Sequence, residues 1–127
     1  MQITQLDHLV LTVEDIETTC LFYSSVLGMQ TVSFAGGRKA LKFGRQKINL
    51  HQLGQEFEPK AKRPTAGSAD LCLLTDIPIT QVIEHLQALD VPIIEGPVQR
   101  SGAEGPLLSV YLRDPDDNLL EISNSIG

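Results

Sequence analysis

Four side chains of the metal-binding kind stand inside stretches that otherwise read as apolar strands. His8 lies in LDHLVLTV, His51 in INLHQL, Asp70 in SADLCLL and Glu121 in NLLEIS. Imidazole and carboxylate are the side chains that hold zinc, nickel, manganese or iron, with the carboxylates offsetting the ion's charge. A lone strand histidine is more often a satisfied core or edge residue, but four such residues recurring at matching places form a pattern. Tyr111 and Arg113 lie two residues apart in another strand-like run, so both face one side of a sheet. An arginine on a concave sheet face binds a substrate carboxylate or phosphate, and its plainer role is to pair with Asp114 or Asp116 at the following turn. His85 sits beside Glu84 and Gln81, off the apolar stripe of its segment, and reads as surface.

The elements that must position these residues are written twice. Residues 3–13 (ITQLDHLVLTV) are rich in Leu and β-branched residues and predict a strand. From Asp15 the period changes, and Ile16, Cys20, Tyr23 and Leu27 share one helical face. Asp15 is the N-cap, and Gly28 follows the last periodic residue. Strands are expected over 29–35, 39–43 and 47–53, with Gly36-Gly37 and Gly44-Arg45 as turns. A polar stretch with Pro59, Pro64 and Gly67 then reads as a connector. The order recurs with a strand over 69–74 and a helix over 78–89, striped by Ile79, Val82, Leu86 and Leu89. A short strand from Ile93 to about Val98 and strands over 107–113 and 118–123 follow. The expected domain is thus single: module one over about 1–53, a connector over 54–68, and module two over 69–127.

One β-α-β-β-β half cannot close its own core, so two must pair. Three strands in succession after each helix favour mostly antiparallel α+β modules over a doubly wound sheet. In this reading His8 corresponds to Asp70 and His51 to Glu121. The second pair lies eight residues further apart, which a longer loop around Ser101–Pro106 would absorb. That loop, SGAEGP, has two glycines and is a candidate lid over a site.

Composition limits the rest. With 127 residues, 42% of them hydrophobic, the chain can bury a core without staples. A net charge of −6 argues against nucleic acid. No apolar run is long enough for a membrane span. The basic cluster Lys60, Lys62 and Arg63 reads as a solvated connector. Cys20 and Cys72 read as buried small hydrophobes, which fits a reducing, cytoplasmic setting.

The first strand DHLVLTV, the helix-end segment FYSSVLGM and the closing RDPDDNLLEISN together resemble the vicinal oxygen chelate superfamily. Glyoxalase I, bleomycin-resistance proteins and extradiol dioxygenases belong to it. The likeness runs from Leu6 to Asn124 and is nearest to small glyoxalase-domain and virulence-associated members. It implies an α+β fold in which two tandem βαβββ modules form a cupped, mostly antiparallel eight-stranded sheet. It further implies a divalent metal held by His8, His51 and Glu121, with Asp70 in a position where the family usually has His or Glu. Glu121 would be the catalytic base, with Tyr111 and Arg113 as substrate-binding residues. The expected activity is that of a glyoxalase-like lyase or isomerase acting on a small substrate with vicinal oxygens through an enediolate-type intermediate. Extradiol-type ring cleavage and metal-free sequestration of a small molecule are the alternatives. The family also implies a homodimer.

Overall fold

The computed structural model describes all 127 residues. They are ordered as β1 (His8–Val13), α1 (Ile16–Ser25), β2 (Gln30–Phe34), β3 (Arg38–Phe43), β4 (Gln46–Gln52), β5 (Asp70–Leu74), α2 (Ile79–Ala88), β6 (Glu95–Ser101), β7 (Pro106–Arg113) and β8 (Leu119–Ser125). No helix is long and apolar enough to cross a membrane. The chain divides into two compact units, Met1–Gly67 and Ser68–Gly127. Each unit holds one four-stranded mixed sheet, in the orders β1-β4-β3-β2 and β5-β8-β7-β6. In both, the first strand runs parallel to the last and the other pairings are antiparallel. A parallel pair needs a long crossover, and the helix with the two strands after it supplies one.

Period-two alternation gives every sheet an apolar and a polar face. In the first unit Leu11, Val13, Leu41, Ile48 and Leu50 share the face that packs against α1, and all are buried. In the second, Val110, Leu112, Leu120 and Ile122 do the same beneath α2, whose buried stripe is Ile79, Val82 and Leu86. The stripe of α1 is rotated from the expected one. Thr19, Tyr23 and Val26 are buried, while Cys20 and Leu27 are half-buried.

The helix starts are fixed in two ways. The Asp15 carboxylate accepts from the Thr18 backbone N–H at 3.0 Å, the expected N-cap. Pro78 has no such side chain, and Asn124 at the end of β8 replaces it from across the unit. Its Oδ1 accepts from Ile79 N–H at 2.8 Å, and its Nδ2 donates to the carbonyls of Thr75 (2.9 Å) and Ile77 (2.8 Å). Gln52, at the end of β4, does likewise for α1: it accepts from Ile16 N–H at 3.2 Å and donates to the Glu14 carbonyl. The last strand of each module therefore holds the helix of its own module by an amide.

Three expectations need correction. Residues 3–7 are not strand. Ile3 and Leu6 are 79% and 58% exposed, and β1 begins only where β4 pairs with it. Strand β6 starts later and runs further than expected, from Glu95 to Ser101. The extra length of the second module lies mainly in the arms of the β6–β7 hairpin, where sixteen residues separate the paired Glu95 and Tyr111, against eight between Val32 and Ala40 at the matching place. The β7–β8 turn spans residues 114–118, against 44–45 between β3 and β4. Asp114 organises it, accepting from the N–H groups of Asp116 and Asn118 at 2.9 Å and from Asn118 Nδ2 at 2.8 Å. The loop over 102–105 is a tight hairpin, closed by Gly102 N–H on the Gly105 carbonyl at 2.8 Å.

Two outcomes follow. Asn124→Ala removes three hydrogen bonds and leaves the α2 start uncapped, lowering stability in urea denaturation by about 2–3 kcal/mol. An unchanged midpoint would refute the remote cap. For Asp15, the Thr18 hydroxyl and then its N–H hold the carboxyl below its ordinary value. A depressed carboxyl stabilises the fold above its unfolded pKa and stops doing so as pH falls through the folded one. Asp15→Ala should therefore lower the melting temperature at neutral pH, and the gap from wild type should close in acid below about pH 4.

Candidate functional site

Strand register decides which polar residues stand together. In the second sheet Asp70, Leu119 and Arg113 form one row across β5, β8 and β7. The next row on the same face is Cys72, Glu121, Tyr111 and Glu95, and the one after it holds Leu74, Ser123, Ser109 and Val98. Tyr111 and Arg113 do share a face, as their spacing predicts. Together these residues line a concavity of about 430 Å³, bordered by Asp70, Glu95, Arg100, Tyr111, Arg113 and Glu121. A second hollow of about 610 Å³ runs past Cys72, Leu74 and the 102–105 hairpin. Glu121 borders both.

Glu121 is held by a chain of buried hydroxyls. Ser109 and Ser123 have no exposed surface. Ser109 Oγ donates to Glu121 Oε2 at 2.6 Å, and the two serine oxygens are 2.6 Å apart. A hydroxyl has one proton. Since Ser109 gives its proton to Glu121, it can only accept from Ser123, whose hydroxyl also lies 3.5 Å from Glu121 Oε2 as a donor. Cys72 Sγ lies 3.4 Å from Ser123 Oγ, and desolvation pushes its thiol pKa up, so it stays protonated and can donate to Ser123. The chain thus runs Cys72, Ser123, Ser109, Glu121. It fixes one carboxylate oxygen, Oε2, of a residue that borders both hollows. Cys72 is exposed rather than buried, a correction that follows from its place on the polar face.

Arg100 and Arg113 differ sharply. Arg100 donates to the Tyr111 hydroxyl at 2.9 Å, to Glu95 and to the Gln99 carbonyl at 3.2 Å. Glu95 reaches it because the register shifts between Glu95 and Val98. At this bulge Gly96 has φ +108°, and a Cβ there would lie 2.5 Å from the Ser109 carbonyl oxygen, so only glycine fits. Arg113 bonds the Asp117 carbonyl at 3.3 Å and forms no ion pair, not the expected pairing with Asp114 or Asp116.

In the first sheet the rows read His8, Lys47, Lys42 and Gln30, then Val10, Asn49, Ala40 and Val32. His51 pairs with Thr12 and shares the polar face, but it stands four residues, about 13 Å, along from the row of His8. The register corrects the expected equivalence. His8 does match Asp70, yet the residue that matches Glu121 is Asn49, and His51 matches Ser123. Asn49 carries no sign of chemistry in the sequence, but its Oδ1 is buried and accepts no hydrogen bond. Exposed His8 has its Nδ1 2.7 Å from Asp7, whose pKa that bond lowers. His51 is buried, with Phe57 edge-on at 5.7 Å, and the Arg38 guanidinium lies 4.1 Å above the same phenyl ring. Within neither unit do three or more His, Cys, Asp or Glu side chains gather into a ready metal cluster.

Comparison with known proteins places this geometry. Virulence protein STM3117 of Salmonella typhimurium is 57% identical over 126 residues, covering 99% of this chain and 88% of that one. Its crystal structure superposes with a TM-score of 0.98, over 99% of this chain and 100% of that one. The glyoxalase domain-containing protein RDO1 of Mycosarcoma maydis is 53% identical over 124 residues, 98% of this chain and 70% of its own length. Two more distant structures share the fold. Lactoylglutathione lyase from Agrobacterium tumefaciens is 22% identical, with a TM-score of 0.74 over 98% of this chain and 96% of that one. The fosfomycin resistance protein FosX of Listeria monocytogenes, crystallised with Mn(II) and dihydroxypropylphosphonic acid, is 19% identical, with a TM-score of 0.67 over 98% and 93%. A family profile matches residues 5–122. The chain belongs to the glyoxalase/bleomycin resistance protein/dioxygenase superfamily.

Proposed function

We propose that the protein is a metal-dependent lyase or isomerase of the glyoxalase type, acting on a small substrate with two neighbouring oxygens through an enediolate-type intermediate. One observation carries this reading: Glu121 is anchored through Oε2 by Ser109 and borders both hollows. A carboxylate held by one oxygen can use the other as a ligand or a base.

The donor set fits a divalent ion. In the first module, with Asp7 accepting from Nδ1–H, His8 offers Nε2, the usual backing of a metal-bound histidine. Asn49 Oδ1 is a buried acceptor without a donor. In the second module Asp70 is exposed and makes no ion pair or hydrogen bond, and Glu121 offers Oε1. We assign ligand roles to His8 and Asn49 of the first module and to Glu121 of the second, with Asp70 as a further candidate. His51 stands a row further along its strand, covered by Phe57. When bound, zinc, nickel, manganese or iron supplies positive charge for the two substrate oxygens. Glu121 takes the proton beside the carbonyl, and Tyr111, its partner across β7 and β8, flanks the substrate. Exposed Val10 (46%) and Leu74 (64%) on the polar faces support a homodimeric working form.

Metal-stripped protein titrated with Zn(II), Ni(II) and Mn(II) should bind one ion per chain. His8→Ala and Glu121→Gln should each weaken that binding at least tenfold, and Ser109→Ala about tenfold through loss of orientation. Glyoxalase turnover should vanish in Glu121→Gln. Absence of binding, or equal affinity in all variants, would overturn the metal reading. Light scattering at micromolar concentration should give a dimer mass, and a monomer would remove that part of the proposal.

A further inference from the structure

We infer that the ligand of this site carries an oxyanion, a carboxylate or phosphate-type group, and that Arg113 receives it. The first observation is an asymmetry between two arginines lining one concavity. Arg100 is held through all three of its nitrogens by Tyr111, Glu95 and the Gln99 carbonyl. Arg113 has a single 3.3 Å contact to a backbone carbonyl, no ion pair, and a place on the wall of the 430 Å³ hollow. A guanidinium with most of its fork unused is matched by a planar or tetrahedral oxyanion, which it binds through two parallel N–H groups.

The second observation comes from the other sheet. The chain has a net charge of −6, yet the strands place Arg38, Lys42 and Lys47 and no carboxylate on the polar face of the first sheet, and Asp7, just before β1, is the carboxylate that His8, Lys47 and Lys42 act on. Lys47 lies 4.0 Å over the Phe34 ring and Arg38 over Phe57, while Lys42 forms no ion pair. By register, Lys42 occupies in its sheet the position that Arg113 occupies in the second. Each module thus sets a cation in the same row as its first-strand polar residue, Lys42 with His8 and Arg113 with Asp70. An acidic protein that twice keeps a cation at this place is built for an anionic ligand.

Size follows from the sheet. Arg113 and Glu121 are diagonal neighbours, with Cα atoms about 7–8 Å apart. A ligand that meets both has its oxyanion a few bonds from the reacting carbon, as in a three- or four-carbon hydroxy or oxo acid. The role of Glu121 rests on the function proposed above, whereas oxyanion binding at Arg113 needs neither metal nor turnover.

The test is an amide NMR titration of the metal-free full chain with lactate, lactamide and inorganic phosphate. Lactate and lactamide share their vicinal oxygens and differ in charge. Lactate or phosphate should shift the Arg113 and Leu119 signals with at least tenfold tighter binding than lactamide, and the tighter of the two anions identifies the group. Arg113→Gln should erase the preference and Arg113→Lys should keep part of it. Arg45→Gln, which removes one charge at the β3–β4 turn, should leave binding unchanged. Equal binding of lactamide, an unaffected Arg113→Gln, or an equal loss in Arg45→Gln would overturn the inference. A protein that takes up no metal yet passes this titration would refute the metal reading alone.

Discussion

Each module closes on itself because its first strand lies parallel to its last, and that pairing sets every row on which the candidate site depends. Parallel pairing forces a crossover, so the helix must lie over one face of the sheet. The face beneath it becomes the core and the other face is left polar. The amides of Gln52 and Asn124 reinforce the same arrangement, because the strand that completes the sheet also holds the start of the helix. A one-residue slip in this register would exchange the two faces. It would bury Glu121 under α2 and expose Leu120 and Ile122.

The polar face of the second module is organised by direction as much as by position. Its buried hydroxyls converge on one oxygen of Glu121. On the other side of Tyr111, Arg100 is tied down by three partners. Beside these fixed groups stand Asp70, whose side chain makes no hydrogen bond, and Arg113, with a single bond to the Asp117 carbonyl. A binding surface needs both kinds, rigid groups that set geometry and unsatisfied groups that await a ligand.

Much of this was legible from residues. Asp15, Gly28 and the glycine pairs marked helix ends and turns, and the switch between periods of two and 3.6 revealed the doubled β-α-β-β-β order. The placement of His8, Asp70, Tyr111, Arg113 and Glu121 on polar faces followed from alternation. What alternation cannot give is the row. Asn49 and His51 point the same way, so the sequence pattern is equally content with either as the counterpart of Glu121, and only hydrogen-bonded register separates them. Residues 3–7 look like a strand because their composition is right, but a strand also needs a neighbour, which no local pattern reports. Ser109 and Ser123 were invisible for a related reason. A serine on a sheet is ordinary until its hydroxyl is seen against a carboxylate.

The alternation of core and polar rows has an evolutionary consequence. The two halves read as copies of one ancestral unit, and their matched positions have drifted very unevenly. Where a position supports architecture, the copies retain the same chemistry, as with the amides at 52 and 124. On the open face, histidine stands against aspartate, asparagine against glutamate, and alanine against tyrosine. Because each open-face residue is separated from the buried layer by a single step along its strand, it can be exchanged without disturbing the packing behind it. A duplicated scaffold of this kind lets one copy specialise while the other keeps its inheritance, and new reactivities can be sampled one residue at a time.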